Sequence, residues 1–578
     1  MAVFENRSGA YFMYVSSGSA ENRHLQADMA SFGSGSKERM TNMNDGRSAR
    51  TKGGMSGQGQ AEALLANGLR FHQAGRLAEA EECYRRLLAL IPDHADSLHL
   101  LGDIFYQRGR YDLAVDSIGR AIASNGTVPF YYYNLGNAFQ ALGRQDEALA
   151  AYDTAIRIMP DLAEAHYNRG NALQNLGRPG EALAAYGTAI KIKPDYAQAH
   201  ANLGLALQVL GRPDAALAAY DAAIKIKPTD FEAHYNRGLA LQALDRPDEA
   251  LAAYDTAVRL KPDFAEARNN RGLALLLKGE FEKGWQDYEW RWRSKDWSGG
   301  KPRHQTLPRW TGEPADGRTV LLWSEQGMGD TIQCLRYLPR VAAMGWKIVA
   351  ELPRELIQLA TCLKAADITI AAIGDPLPTA DLQCPFLSLP AICGTIPWAP
   401  PSASYLRAEP DLSRAWRARL GKESLNIGIV WQGNPSQKND RNRSARLAEF
   451  RPLSAIDGVH LVSLQKNYGT EQLENLPDGM RVDRLGPDYD SGGFHDTAAV
   501  IAGLDLVIGV DTAVAHLAGS LGVPTWLLLC KVPDWRWLME REDSPWYPSM
   551  RLFRQEHPGD WSAVFHRIAE ALRPLVKP

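Results

Sequence analysis

The sequence predicts an α-helical solenoid followed by an α/β region of two lobes, and three observations predict it. A glycine recurs from Gly68 to Gly272 in steps of 34 residues, and a fixed period of that length marks stacked helical hairpins. After Gly317 the period gives way to short apolar runs alternating with amphipathic stretches, the pattern of a parallel sheet covered by helices. Beyond a proline-rich interval the alternation starts afresh, so a second sheet follows the first. A chain of 578 residues exceeds what one hydrophobic core organises, which agrees with this division.

Residues 1–58 precede the pattern. They are rich in Gly, Ser, Asn and Met without helical or strand period, a composition that buries too little apolar area to offset ordering entropy. A disordered tail is expected, and no function is placed on it. Lys plus Arg (64) nearly balances Asp plus Glu (67), so no overall field gathers nucleic acid or an anionic membrane surface. Cys83, Cys334, Cys362, Cys384, Cys393 and Cys530 lack the paired spacing of zinc or dithiol sites. No segment has the pattern of a signal peptide or a membrane span. A reduced, cytoplasmic setting is expected.

The repeats occupy residues 59–298. Gly68, Gly102, Gly136, Gly170, Gly204, Gly238 and Gly272 keep register with turns at Gly75, Gly109, Gly143, Gly177, Gly211, Asp245 and Gly279. Tyr84, Tyr152, Tyr186, Tyr220, Tyr254 and Tyr288 and the prolines from Pro92 to Pro262 complete a pattern that resembles the tetratricopeptide repeat (TPR). The glycine admits close helix approach, the tyrosine fills the joint, and the proline ends the second helix. Each hairpin leaves an apolar face bare, so the repeats must stack, and stacking forms a groove suited to peptides.

One position in the first helix of five repeats is asparagine: Asn134, Asn168, Asn202, Asn236 and Asn270. Carboxamides in a row can pair with the backbone of an extended peptide whatever its side chains. The row resembles the asparagine ladder in the TPR region of O-linked N-acetylglucosamine transferase, which implies a protein or peptide partner. An ordinary polar surface is the alternative. The array closes in an aromatic and basic stretch from Trp285 to Trp297, read as a cap or as packing on the next domain, with a carbohydrate platform as the other reading.

A linker, residues 299–317, leads to a first lobe at 318–412 and a second at 413–578. Strands are expected at Thr319 to Trp323 and Trp346 to Glu351, with a helix from Thr331 to Met344 between them. The interval Pro376 to Pro410 is expected to interrupt the sheet. In the second lobe strands are expected at Asn426 to Trp431, Val459 to Leu464, Leu504 to Val510 and Thr525 to Leu529.

Two motifs carry the chemistry. Gly327-Met328-Gly329-Asp330 follows the first strand, and Gly509-Val510-Asp511-Thr512-Ala513-Val514-Ala515-His516-Leu517-Ala518 forms a strand end, a turn and a helix start in the second lobe. The pair resembles the glycosyltransferase family that includes the lipopolysaccharide heptosyltransferases. That resemblance implies the GT-B fold of two Rossmann-like lobes and a nucleotide sugar as donor substrate, with no further cofactor and no metal. It places Gly329, Asp511, Thr512, Ala513 and His516 at the nucleotide sugar and Asp330 as the catalytic base. A helix start near Thr512 offers free N–H groups and a dipole suited to a diphosphate. The family has glycine where this chain has Ala513, which puts sugar identity and activity in question. For Asp330 the alternative is a helix N-cap, and for His516 a buried histidine bonded to a backbone carbonyl.

Between the motifs lie Gly433, Asn434, Lys438 and Arg443, a glycine turn and clustered cations that resemble the family's diphosphate-neutralising segment, without its Lys-Trp-Pro run. A solvated loop is the alternative. The aromatic block Pro533 to Pro548 reads as a stacking surface or as core across the lobes, and Asp488-Tyr489-Asp490 is too short a pattern to assign a metal. The reading is an inverting, metal-independent glycosyltransferase whose acceptor is a protein recruited by the repeats. The alternatives are transfer to a glycan or lipopolysaccharide, and a scaffold with an inactive transferase domain.

Overall fold

A computed structural model describes residues 57–295, 302–394, 404–421, 423–437, 439–487, 489 and 493–576. The expected tail and Lys438 lie outside the described residues. The chain divides into two compact units that meet in sequence at Ala240 and Leu241.

The first unit is the solenoid, built of paired helices from Gly57–Gln73 and Leu77–Leu90 to Ala197–Val209 and Pro213–Ile226. Its joint is steric. A methyl group on Gly170 would stand 2.5 Å from Cε1 of Tyr186, and Gly136 and Gly204 face Tyr152 and Tyr220 in the same way. The tyrosine rings are fully buried, and their hydroxyls donate to glutamine side chains twelve residues earlier, as in Tyr186 to Gln174 at 2.7 Å. The turn glycines take positive φ, for example 70° at Gly177. Gly102 faces Ile118 instead of a tyrosine, so this joint accepts another apolar shape.

The second unit starts with the last helices, Pro247–Leu260, Ala265–Leu277 and Phe281–Tyr288. Asp245 holds the left-handed turn conformation with φ 55°, the place that glycine takes in the other repeats. The sheets follow. β1 (Thr319–Trp323), β2 (Lys347–Leu352), β3 (Ile368–Ala372) and β4 (Leu382–Pro385) form an all-parallel sheet in the order β3-β2-β1-β4. β5 (Leu425–Val430), β6 (Val459–Ser463), β7 (Leu506–Val510), β8 (Thr525–Leu529) and β9 (Met550–Arg554) form a second, in the order β6-β5-β7-β8-β9.

Two expectations are corrected here. The helix expected from Thr331 to Met344 starts earlier and breaks: Met328–Cys334, a 3-10 turn at Leu335–Tyr337, then Leu338–Ala343. Pro339 lacks the N–H a continuous helix needs and clashes with the preceding turn. The proline-rich interval does not interrupt the first sheet, because β4 lies inside it as an edge strand that ends on Pro385, where a missing donor is tolerated. β3 and β9 were not foreseen.

One apolar core joins the last repeats to both lobes. Leu276, Trp285 and Tyr288 pack in the same cluster as Leu322, Leu338, Leu517 and Trp537. The Trp285 ring meets Trp535 edge-on at 5.0 Å, and Phe281 meets Trp546 at 6.1 Å. Arg291, fully buried, donates to Glu325 at 2.8 Å and to Ser388 at 2.8 Å. The described part of the Trp285 to Trp297 stretch is thus packed on the lobes, and Trp297 lies outside the described residues. The other face of the second sheet carries a separate core around Phe450, Ile508 and Phe565.

Candidate functional site

The two motif loops, far apart in sequence, meet. Gly329 lies in the first turn of Met328–Cys334, and a methyl group there would stand 2.9 Å from Cδ2 of His516 and 3.4 Å from Cα of Ala513. Only a residue without Cβ fits that approach. Asp330 follows. Its Oδ2 accepts the Gly327 N–H at 3.0 Å, so it caps the helix from inside the first turn, and its Oδ1 accepts a hydrogen bond from Arg536. Burial pushes the Asp330 carboxyl up, and Arg536 opposes that rise.

In the second lobe, Thr512 is the N-cap residue of the Ala513–Leu521 helix. The Thr512 hydroxyl is buried and has no protein hydrogen-bond partner. A helix start with open N–H groups beside an unengaged hydroxyl is chemistry that suits an anion. Asp511 is pushed up to about 6, by burial first and by Asp534 next. Its Oδ1 stands 3.7 Å from Nε2 of His516. His516 is held well below its ordinary value by burial and by the charges of Arg536, Arg336 and Arg443, so it is neutral at pH 7. Its Nδ1 faces the Tyr547 hydroxyl at 2.9 Å, and its ring lies 5.3 Å from Trp537. That nitrogen is bonded to a phenol, not to the backbone carbonyl weighed above.

Arg443 reaches the second motif directly, donating to the Asp511 carbonyl at 3.1 Å and to Asp440 at 3.2 Å. Gly433 makes room for it, since a Cβ there would stand 2.5 Å from Nη2 of Arg443. Asn434 is exposed and turns inward on its own loop, accepting from the Ser436 N–H at 3.0 Å. Asp330, Gly329, Asp511, Thr512, Ala513, His516, Gly433 and Arg443 are therefore brought into one neighbourhood, and Asn434 is not. Arg536 was not singled out from the sequence. Its signal was its place in the aromatic block, where Trp535, Trp537, Trp546 and Tyr547 are all buried. Among the described residues no three His, Cys, Asp or Glu side chains gather as metal ligands, and Asp488 and Asp490 lie outside them.

The asparagines of the repeats are half-buried. Asn168 donates to Asn137 at 2.9 Å and to the Tyr133 hydroxyl at 3.3 Å, and Asn202 donates to Asn171 at 2.8 Å and to Tyr167 at 3.1 Å. Asn171 donates back to Asn168 at 3.3 Å. Asn134 faces Nε2 of His99 at 2.8 Å. Both amide hydrogens of Asn168 and of Asn202 are thus engaged by the preceding repeat. Asn236 and Asn270 hold the equivalent places.

Comparison with known families agrees with the geometry. Residues 65–130, 167–231 and 231–264 match profiles described as tetratricopeptide repeat, and residues 136–177 one described as TPR repeat. Residues 456–529 match glycosyltransferase family 9 (heptosyltransferase). The chain carries TPR repeats and a family 9 glycosyltransferase domain. Protein FlbA of Caulobacter vibrioides is 28% identical over 337 residues, which cover 52% of this chain and 53% of FlbA. The chain thus spans about half the length of this curated relative. Similar solved structures overlap a minor part of the chain. MamA is 25% identical over 28% of this chain and 96% of its own, with a TM-score of 0.27. YrrB, described as a TPR protein with an unusual peptide-binding site, is 21% identical over 32% and 96%, with a TM-score of 0.30. PilF of Pseudomonas aeruginosa is 18% identical over 37% and 96%, with a TM-score of 0.34. No helix among the described residues is long and apolar enough to cross a membrane.

Proposed function

We propose that the lobes transfer a sugar from a nucleotide-sugar donor to a polypeptide recruited by the repeats, with inversion and without a metal. The observation that supports this best is the meeting of Gly329 and Asp330 with Ala513 and His516, which sets a carboxylate beside a helix start that suits a diphosphate. In this reading the diphosphate rests on the first turn of Ala513–Leu521, with the Thr512 hydroxyl as a further donor and Arg443 as counter-charge. The acceptor hydroxyl gives its proton to Asp330. Its oxygen bonds to the anomeric carbon from the far side while the carbon–oxygen bond to the diphosphate breaks, and the diphosphate leaves with the electron pair. His516, neutral and pinned by Tyr547, orients the loop or meets the sugar. Lys438, five residues before Arg443 in sequence, supplies a second cation to the donor side in this reading. The asparagines of the repeats would offer a peptide their carbonyl oxygens, since the N–H groups of Asn168 and Asn202 are engaged. We place the protein in the cytoplasm, where its six free thiols persist.

A scaffold with an inactive transferase domain is the second reading, favoured by Ala513 and by the engagement of Asp330 with Arg536. Calorimetric titration of the full chain with UDP, GDP, ADP and their sugars, in EDTA, separates the two. Saturable binding of at least one is expected. Binding of none would leave the scaffold.

A further inference from the structure

Arg536 has no role in the reading above, yet it is the most deeply set cation of the site. Its side chain is 6% exposed, and it is the charge that links the two motifs. Nη2 donates to Asp330, Nε to Gln333 at 2.5 Å and Nη1 to Asp534 at 2.7 Å, while the guanidinium lies 4.3 Å over the Trp535 ring. Asp330 and Gln333 come from the first lobe, and Asp534 and Arg536 itself from the second. Arg536 also acts electrostatically on Asp511 and His516, which flank the start of the Ala513–Leu521 helix. Two residues on, Leu538 is buried with φ 51° and ψ −175°, a backbone region rarely open to a residue with a Cβ. Its surroundings are packed: a methyl group on Gly279 would stand 3.9 Å from Cδ2 of Leu538, and Trp535 meets Trp285.

This arrangement poses a chemical problem for Asp330 as a base. A carboxylate that accepts a charge-assisted hydrogen bond from a buried guanidinium is a poor proton acceptor. A diphosphate arriving at the adjacent helix start brings more negative charge than one carboxylate, and pairs of its oxygens can be bridged by the guanidinium fork. We infer that Arg536 is a donor-binding residue that exchanges Asp330 for the diphosphate, so that arrival of the donor both fills the site and releases the base. Asp534 and Gln333 keep the guanidinium oriented through the exchange. Without donor, Asp330 stays quenched, and an acceptor hydroxyl bound alone is not deprotonated. The inference rests on the donor reading above and adds a residue and an order to it: donor first, acceptor second.

A double-mutant cycle tests it, with UDP, GDP and ADP titrated in EDTA into the full-length wild type, Asp330→Asn, Arg536→Gln and the double variant. Asn at 330 still accepts the Gly327 N–H but no longer competes for Arg536 as an anion. The best-binding diphosphate should bind Asp330→Asn about tenfold more tightly than wild type, and Arg536→Gln about tenfold more weakly. In the Arg536→Gln background the Asp330→Asn gain should vanish. Arg536→Lys, which keeps the charge if glutamine is not accommodated in the buried site, should retain part of the gain. A gain from Asp330→Asn that persists without Arg536, or equal affinity in wild type and Asp330→Asn, would overturn the exchange. Binding to none of the proteins would instead remove the donor reading on which it rests.

Discussion

Replacing Asp103 with asparagine should strengthen the solenoid at neutral pH and leave it nearly unchanged in acid. Asp103 sits on the first helix of its repeat at the place that Asn137 and Asn171 take one and two repeats later. It is only 7% exposed, and its Oδ2 accepts from Gln107 at 3.1 Å and lies 3.3 Å from Nε2 of His72. Burial pushes its carboxyl up to about 6 and pushes His72 and His99 down to about 4. The sign follows from proton counting. A carboxyl that binds its proton more tightly in the fold than in the unfolded chain, about 6 against an ordinary 3.8, favours folding below pH 4 and loses that favour as pH rises through 6. The loss amounts to about 3 kcal/mol between pH 4 and pH 7, from about 1.4 kcal/mol per tenfold change in proton affinity. Asparagine has no such loss and keeps the bond to Gln107 by turning its amide. Urea unfolding followed by circular dichroism at pH 4, 5, 6 and 7 on both proteins measures the difference, in which the titration of His99 cancels. The stability gap should open by about 2–3 kcal/mol as pH rises. A gap that does not change with pH would refute the burial argument.

Other substitutions test the packing. Gly170→Ala drives a methyl group into the Tyr186 ring and should destabilise by about 1–3 kcal/mol despite better helix propensity, whereas Gly187→Ala, with nothing within 4 Å, should stabilise by about 0.5–1 kcal/mol; urea midpoints read both. Asn168→Ala with Asn202→Ala removes the inter-repeat bonds and should lower the helical transition in the same assay at about 1 kcal/mol per bond. Arg291→Met leaves Glu325, itself pushed up to about 7 by burial, without its cation. Calorimetry of the second unit should register a loss of about 3–5 kcal/mol, less wherever Glu325 can take up a proton.

The solenoid was the most legible part of the sequence, because most joints, such as Gly170 against Tyr186, are a glycine against a ring inside one 34-residue unit. Strands with continuous apolar runs, such as Leu506–Val510, were also legible. Ile368–Ala372, Leu382–Pro385 and Met550–Arg554 were not, since short strands among prolines or alternating charges carry little periodic signal. The donor-side motif was readable as strand, turn and helix. Partners from distant segments were not: Tyr547 meets His516 through packing within the second lobe, and Arg536 meets Asp330 where one lobe closes on the other. The ladder shows the reverse case. Its regular spacing was plain, but the spacing gave no hint that the same carboxamides bond to their neighbours.

Sugar transfer itself tests the central claim most directly. The full-length wild type and Asp330→Asn would be incubated in EDTA with radiolabelled UDP-, GDP- and ADP-sugars and a protein extract as acceptor, and both nucleoside diphosphate release and label in protein would be counted. The account predicts that wild type moves label from one donor into protein, and that Asp330→Asn retains donor binding while transfer falls by about 10²-fold or more. Equal transfer by the two proteins, or no transfer by wild type from any donor it binds, would contradict it.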